Sequence, residues 1–182
     1  MAPSSTPLRV AVNGFGRIGR IASRILLDRP GMELVAVNDL TDTHTLAHLF
    51  KYDSVHRTYP GDVGYDERNL LLGGRRVQAF AAKDPASLPW GDLGIDVVLE
   101  CTGHFLTREL ASAHLRAGAR QVVLSAPAKD ADIPSVVLGV NDQVLKGDEP
   151  IISNASCTTN GAAPMIMGIH ELGHIEDGFI TT

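Results

Sequence analysis

The sequence predicts an α/β protein built on a doubly wound, mostly parallel sheet. Short runs of β-branched and other apolar residues alternate with segments of helical periodicity, a pattern typical of right-handed βαβ units. Glycine is frequent, at 18 of 182 residues, and many glycines stand where the apolar runs end. Hydrophobic residues make up 44% of the chain, which is enough for a sizeable buried core.

The individual elements follow from the spacing of the apolar residues. Strands are predicted at residues 8–13, 33–38, 95–100, 121–124, 136–140 and 150–153. Helices are predicted at residues 17–29, 43–51, 107–117 and 158–172. Two further runs, 70–72 and 77–81, predict a hairpin across Gly73 and Gly74. The segment 175–182 is expected to begin one more strand.

Composition and charge exclude several classes of protein. The chain carries 16 basic and 21 acidic residues, a net charge of -5, with both signs mixed along it. Nucleic-acid and anionic-membrane surfaces need clustered Lys and Arg, so neither partner is expected. No apolar run reaches the roughly 18 residues that span a bilayer. Residues 1–7 lack the features of a secretory signal and are expected to form a flexible tail.

The two cysteines, Cys101 and Cys157, are too few for a disulfide scaffold. This usage fits a reducing compartment, so the sequence predicts a cytoplasmic protein.

A glycine-rich loop follows the first strand and opens the first helix. Gly14, Gly16 and Gly19 form the pattern G-x-G-x-x-G, in which they permit a tight turn, close approach of a pyrophosphate and close packing of helix on strand. The first helical N–H groups, around Arg17 and Ile18, would bind the phosphates. A Rossmann-type dinucleotide-binding fold is the prediction, and a glycine-rich turn without a ligand is the alternative.

Asp39 lies 20 residues after Gly19, at the end of the second strand. A carboxylate there accepts hydrogen bonds from the adenosine ribose hydroxyls and repels a 2′-phosphate, which favours NAD over NADP. Leu40 follows it and offers nothing to hold a 2′-phosphate. The alternative interpretation is an aspartate that caps the next helix. The sequence therefore predicts NAD as cofactor and, in the absence of ligand clusters, no metal.

Cys157 stands where a strand gives way to a helix, between Ser156 and Thr158. A helix N-terminus stabilises a thiolate, and the two hydroxyls suit a phosphate or an oxyanion. With NAD, this pattern indicates a thiolate that adds to an aldehyde. The resulting hemithioacetal gives a hydride to the nicotinamide, and a thioester remains. The alternative is a buried structural cysteine. Cys101, at the end of an apolar strand, is interpreted as packing.

Together these stretches resemble the phosphorylating glyceraldehyde-3-phosphate dehydrogenase family. The resemblance covers nearly all of residues 8–182, but only about the first half of a family enzyme. Its most specific part is residues 153–160, SNASCTTN. The other matching stretches are residues 13–19, 37–41, 46–56, 89–98, 102–103, 125–129 and 139–141.

The resemblance implies roles for individual residues. Cys157 is the nucleophile, and Ser156 and Thr158 contact glyceraldehyde 3-phosphate or inorganic phosphate. Lys83 lies near the adenine, where the family more often has Arg. The implied cofactor contacts are Gly14, Gly16, Arg17, Ile18, Gly19, Asp39, Lys83, Thr102, Gly103 and Ser125.

The resemblance also implies a domain division. Residues 8–156 are expected to form the NAD-binding domain, and 157–182 the beginning of an α+β catalytic domain. In the family the catalytic histidine comes just after the position of Thr182, and no histidine of this chain is a convincing substitute. The 182-residue chain is therefore expected to be a truncated, inactive part of an enzyme that is a homotetramer at full length.

The expected reaction is NAD-dependent oxidation and phosphorylation of glyceraldehyde 3-phosphate to 1,3-bisphosphoglycerate, a step of glycolysis and glucose metabolism. Erythrose-4-phosphate dehydrogenase is an alternative, although that branch tends to carry Glu at Asp39 and His at Ala126. A second alternative is an NAD-binding fragment or pseudo-enzyme without turnover. A third is a chain that does not fold alone, since an unpaired strand invites aggregation.

Overall fold

An eight-stranded sheet with helices on both faces forms the protein in the computed structural model, which describes residues 6–181. The strands are β1 (Leu8–Asn13), β2 (Met32–Asn38), β3 (Val63–Tyr65), β4 (Asn69–Leu72), β5 (Arg75–Phe80), β6 (Val97–Glu100), β7 (Gln121–Leu124) and β8 (Ile151–Ser153). The helices are α1 (Arg17–Asp28), α2 (Thr43–Lys51), α3 (Arg108–Arg116) and α4 (Cys157–Gly173). Single 3-10 turns occur at Pro85–Ser87 and Asp142–Val144.

The sheet follows the order β3-β4-β5-β2-β1-β6-β7-β8. The six strands from β5 to β8 are parallel, and β3 and β4 extend one edge with antiparallel pairing. The chain moves outward from β1 in both directions, first through β2 and later through β6. This doubly wound topology confirms the predicted Rossmann-type α/β fold, and it places a crevice at the carboxyl end of β1.

Alternate residues of β1 point to opposite faces of the sheet, and each face carries its own core. Val10 and Val12 pack with the first core, which contains Leu26 from α1 and Phe50 from α2. Ala11 packs with the second core, around the fully buried Trp90. A third cluster packs α3 against β7 and β8. Because both faces of the sheet are covered, its central strands must be apolar along their length.

The observed elements confirm most of the predicted ones to within about two residues at either end, but two predicted strands are wrong. Residues 136–140 form no strand: an isolated bridge joins Ser135 to Ser153, and a turn follows at residues 138–140. The Asn141 Oδ1 accepts the Val137 N–H at 2.7 Å, and its Nδ2 donates to the Ser135 carbonyl at 2.9 Å. Val137 is nonetheless buried, which explains an apolar run without a strand. Residues 175–181 also form no strand, because a strand needs a partner and none of the described strands pairs with them. The short β3 was not predicted.

Helix α4 differs from the other three helices in its packing. None of its residues, all of which the structure describes, is buried. Its exposed apolar side chains are Met165, Ile166, Ile169 and Leu172. The helix therefore projects an apolar surface outside the layered core of the sheet.

The expected flexible tail at residues 1–7 falls mostly outside the described part, which begins at residue 6. Within the described residues, no helix is both long and apolar enough to cross a membrane.

Candidate NAD site and exposed cysteine

The glycine loop after β1 is packed too tightly for side chains at two positions. Gly14 has φ +89°, and a Cβ atom there would lie 2.7 Å from the Thr102 backbone nitrogen. A Cβ at Gly19 would lie 2.1 Å from the Gly14 carbonyl oxygen. At Gly16, by contrast, a Cβ would meet no other described atom within 4 Å. Packing therefore requires glycine at positions 14 and 19, whereas the surface at Gly16 is open.

Helix α1 starts directly behind that open surface. Gly16 is its N-cap and provides no side-chain hydrogen bond to the first turn. The first N–H groups of a helix have no partner inside the helix, and here Gly16, Arg17 and Ile18 are exposed. The loop therefore presents N–H donors and the positive end of the helix dipole to solvent. Both features favour the binding of a phosphate group.

Asp39 connects the end of β2 to the glycine loop. Its Oδ2 accepts the Phe15 N–H at 2.8 Å, and its Oδ1 accepts the Thr41 N–H at 3.1 Å. Helix α2 is capped by Asp42, whose Oδ1 accepts the Thr45 N–H at 2.9 Å. The alternative interpretation of Asp39 as a helix cap is therefore wrong. Each Asp39 oxygen retains a further lone pair for a ligand hydroxyl.

A cleft of about 310 Å³ lies at the carboxyl ends of β1, β2 and β6. It brings together four of the predicted cofactor residues, Gly14, Asp39, Lys83 and Thr102. The complete lining is Asn13, Gly14, Asn38, Asp39, Leu40, Ala82, Lys83, Thr102, His104 and Phe105. Its position, at the point where the strand order reverses, is where open α/β sheets bind their ligands.

Other predicted residues lie outside that lining. Gly103 is exposed beside Thr102 with φ +75°. Ser125 follows β7, and its N–H donates to the Glu100 carbonyl at 3.0 Å. Cys157 follows β8, two strands beyond β6 along the same edge of the sheet. The dinucleotide cleft and the cysteine thus share one edge of the sheet, and the structure does not bring them into one cavity.

The loop before Cys157 is fixed by hydrogen bonds. Ser156 is the N-cap of α4, and its Oγ accepts the Thr159 N–H at 2.9 Å. The Asn160 amide donates to the Asn154 carbonyl at 2.6 Å. Ala155 adopts a left-handed conformation with φ +54°, a strained arrangement for a residue with a Cβ. Cys157 therefore sits at a defined position, as the first residue of α4.

The two cysteines differ sharply in their surroundings. Cys157 is exposed, so its interpretation as a buried structural residue is wrong. Cys101 is half-buried, and burial raises the pKa of its thiol to about 11, against a smaller lowering by a hydrogen bond with Ser125. Cys101 is therefore a protonated thiol at neutral pH, as a packing residue should be.

The sequence analysis missed a set of polar side chains beneath the cleft. Glu100 and His114 are fully buried, and Asn13 and Asn38 nearly so. The one available signal was a carboxylate at the end of an apolar strand, since ionisable residues are rarely buried without partners. Within the described residues, no group of His, Cys, Asp or Glu side chains could hold a metal ion.

Comparison with known proteins decides the family. The family model for the NAD binding domain of glyceraldehyde 3-phosphate dehydrogenase matches residues 8–108, more than half of the chain. The chain belongs to the glyceraldehyde 3-phosphate dehydrogenase family. This confirms the resemblance, and with it NAD as the cofactor.

Curated relatives carry the same name. The chain is 54% identical over 176 residues to glyceraldehyde-3-phosphate dehydrogenase of Thermotoga maritima, covering 96% of this chain and 53% of the relative. It is 54% identical over 174 residues to the protein of Clostridium acetobutylicum, at 96% and 52% coverage, and 51% identical over 179 residues to that of Pseudomonas aeruginosa, at 96% and 53%. The chain spans about half the length of these relatives.

The contrast between the cysteines gives a direct chemical test. Brief treatment of the native chain with iodoacetamide near neutral pH should alkylate Cys157 and leave Cys101 unmodified, because only a thiolate reacts and Cys101 is both half-buried and protonated. Peptide mass spectrometry measures the extent at each site, with urea-unfolded chain as control for full labelling. Equal labelling of both cysteines in the native chain would contradict the structure.

Proposed function

We propose that residues 8–156 form an NAD-binding domain and that 157–182 begin a catalytic domain. The cleft at the carboxyl edge supports the first assignment, because it collects Gly14 of the glycine loop, Asp39 and Thr102 around one cavity. The exposed apolar residues of α4 support the second. A helix with no buried residue and with exposed apolar side chains fits a second domain that covers it.

The proposed NAD site has three parts, of which the adenosine part lies in the cleft and the other two extend beyond its lining. The pyrophosphate binds the N–H groups at Arg17 and Ile18, which the open surface at Gly16 exposes. The adenosine ribose binds Asp39, with the Lys83 side chain on the adenine side. The nicotinamide end lies toward a third group of residues, Thr102, Gly103 and Ser125.

The preference for NAD over NADP has an electrostatic cause. Asp39 places a negative charge where a 2′-phosphate would lie, and the exposed Leu40 beside it donates no hydrogen bond from its side chain. Repulsion of the 2′-phosphate and the absence of a hydrogen-bond donor for it both disfavour NADP.

Replacement of Asp39 tests the ribose assignment. Asp39→Asn should weaken NAD binding about ten-fold, since a charge-assisted hydrogen bond contributes roughly 1.5–3 kcal/mol, and should leave NADP binding unchanged or stronger. Asp42→Asn is the matched control, because it makes the same charge change three residues away, in a helix cap outside the cleft lining. Calorimetric titration measures the NAD and NADP affinities of the native chain and of both variants. Equal losses of NAD and NADP in Asp39→Asn would disprove the ribose role.

For the whole protein we propose oxidation and phosphorylation of glyceraldehyde 3-phosphate. The names of the relatives support this substrate, and the exposed Cys157 supports a covalent route. The Cys157 thiolate adds to the aldehyde carbon and forms a hemithioacetal. NAD, when bound, accepts the hydride. The thioester left on Cys157 is attacked by phosphate, which releases 1,3-bisphosphoglycerate and the free thiolate.

The neighbours of Cys157 suit the binding of a phosphate group. The side chain of Thr158 is exposed at the first turn of α4, where N–H groups and the helix dipole favour an anion. Ser156 uses its hydroxyl to cap the helix and to hydrogen-bond Thr159 at 2.7 Å. We therefore propose Thr158 as the direct hydroxyl contact, with Ser156 both holding the turn and contacting the substrate.

The proposed reaction also needs a base for the hemithioacetal proton. His170 lies on the same helix as Cys157, roughly 20 Å along its axis at 1.5 Å per residue, which is too far for proton transfer. We propose that the base lies in the part of the relatives that this chain does not cover. By the same family membership we propose a glycolytic role in the cytoplasm and a homotetramer for the whole protein.

Replacement of Cys157 tests the activity. With NAD, glyceraldehyde 3-phosphate and phosphate, the formation of NADH by the whole protein, followed at 340 nm, should fall at least about a thousand-fold in Cys157→Ala, as expected on loss of a nucleophile. NAD affinity should stay within about two-fold, since Cys157 lies outside the cleft. Unchanged turnover in Cys157→Ala would disprove the nucleophile. The native 182-residue chain by itself is expected to bind NAD and to form no NADH, because the proposed base lies outside it.

A further inference from the structure

A row of buried polar groups runs beneath the cleft, under the carboxyl ends of four neighbouring strands. It links the loop after β5 to β2, β1 and β6, and ends against α3. Its members are the Ala82 backbone and the side chains of Asn38, Asn13, Glu100, His114 and Trp90. None of these hydrogen bonds is part of the β-sheet, so the row is an additional connection between strand ends.

The direction of each hydrogen bond on one side of Glu100 is determined. The Ala82 N–H can only donate, and it does so to the Asn38 Oδ1 at 2.8 Å. The Asn38 Nδ2 therefore donates to the Asn13 Oδ1 at 2.7 Å. The remaining Asn13 Nδ2 donates to the Glu100 Oε2 at 2.6 Å. The amide dipoles of both asparagines thus point their donors toward Glu100.

The other side is determined in the same way. The Trp90 indole N–H can only donate, and its partner is the His114 Nδ1 at 3.0 Å. Because Nδ1 accepts, the neutral imidazole carries its proton on Nε2. That N–H donates to the Glu100 Oε2 at 3.0 Å. Donors therefore converge on Glu100 from both ends of the row.

Glu100 uses its second oxygen to hold the cleft itself. Its Oε1 accepts the Thr102 N–H at 2.8 Å and also the Thr102 hydroxyl. Thr102 in turn lies against Gly14, where an added Cβ would be 2.7 Å from the Thr102 nitrogen. Four donors thus surround a carboxylate with no exposed surface. Three of these donors come from two residues of the cleft lining, Thr102 and Asn13.

We propose that Glu100 is a positioning residue for NAD binding, which fixes the loops after β1 and β6 in the geometry that the cofactor requires. This inference rests on the proposed NAD site. Glu100 itself does not line the cleft, so it acts through Thr102 and Asn13. A ligand that contacts both loops binds more tightly when they are already ordered, because ordering them costs free energy at the moment of binding.

Glu100→Gln is the sharpest variant, because glutamine has nearly the same shape and differs by one amide group. Its Nε2 is a donor, and it would face either the Thr102 donors or those of Asn13 and His114. One loop must then shift or leave a buried donor without a partner. Leu72→Ala is the matched control, since Leu72 is fully buried at the end of β4, where it pairs with Arg75 at the amino end of β5, away from the cleft.

The experiment measures NAD affinity by calorimetric titration and stability by urea unfolding for the native 182-residue chain and both variants. Glu100→Gln should weaken NAD binding about ten-fold, equal to about 1.4 kcal/mol. Leu72→Ala should keep NAD affinity within about two-fold although it also lowers the urea midpoint, since removing a buried Leu side chain leaves a cavity. If Glu100 had a merely structural role, Glu100→Gln would lower the urea midpoint but would weaken NAD binding no more than Leu72→Ala does.

Three results would overturn the proposal. If the native chain and Glu100→Gln bind NAD equally, the proposed NAD site stands and the role of Glu100 fails. If both variants lose affinity in proportion to stability, Glu100 is structural only. If the native chain does not bind NAD, the proposed function fails and this inference fails with it.

If Glu100→Gln does not fold, a second measurement on the native chain tests the role of Glu100. In the native chain the Thr102 amide proton should exchange with solvent slowly, unlike that of the neighbouring exposed Gly103. Exchange of the two amides at the same fast rate, followed by NMR, would equally overturn the role of Glu100.

Discussion

The close approach of the loops after β1 and β6 is the constraint on which the rest of the structure depends. Parallel pairing of β1 with both β2 and β6 brings Asn13, Asn38 and Glu100 to one level at the carboxyl edge. The crowding there requires Gly14, and the buried carboxylate of Glu100 requires donors from both loops. The cleft lies directly above this contact, so the packing that closes the sheet also shapes the ligand site.

The two halves of the proposed active site are supported in different ways. The dinucleotide half lies on buried strands whose ends are joined by hydrogen bonds, which suits a rigid binding surface. The cysteine half lies on a helix with no buried residue, held mainly by the loop at its start. Cys157 is thus precisely placed at its backbone, while apolar side chains of α4 are exposed.

Local signals in the sequence were sufficient for the core βα units and for the position of Asp39 at the end of β2, in the cleft lining. A continuous apolar run flanked by glycine predicted β1, and the G-x-G-x-x-G spacing predicted the loop. The same signal was misleading at residues 136–140, where Val137 is buried in a turn that Asn141 stabilises. Glu100 could not be assigned, because its partner Asn13 is 87 residues away in the chain. Pairing between distant residues leaves no local pattern. For the same reason the sequence did not reveal that the predicted strand has no partner over its described part, residues 175–181.

Hydrogen exchange of the native chain with and without NAD tests the central claim, that NAD binds at the carboxyl edge where these loops meet. Mass spectrometry of proteolytic peptides should show slower exchange on NAD binding in three segments, residues 14–19, 39–41 and 102–104. The hairpin of β3 and β4 should exchange unchanged and serves as the internal reference. Protection confined to α4 or to the hairpin, or no protection at saturating NAD, would contradict the claim.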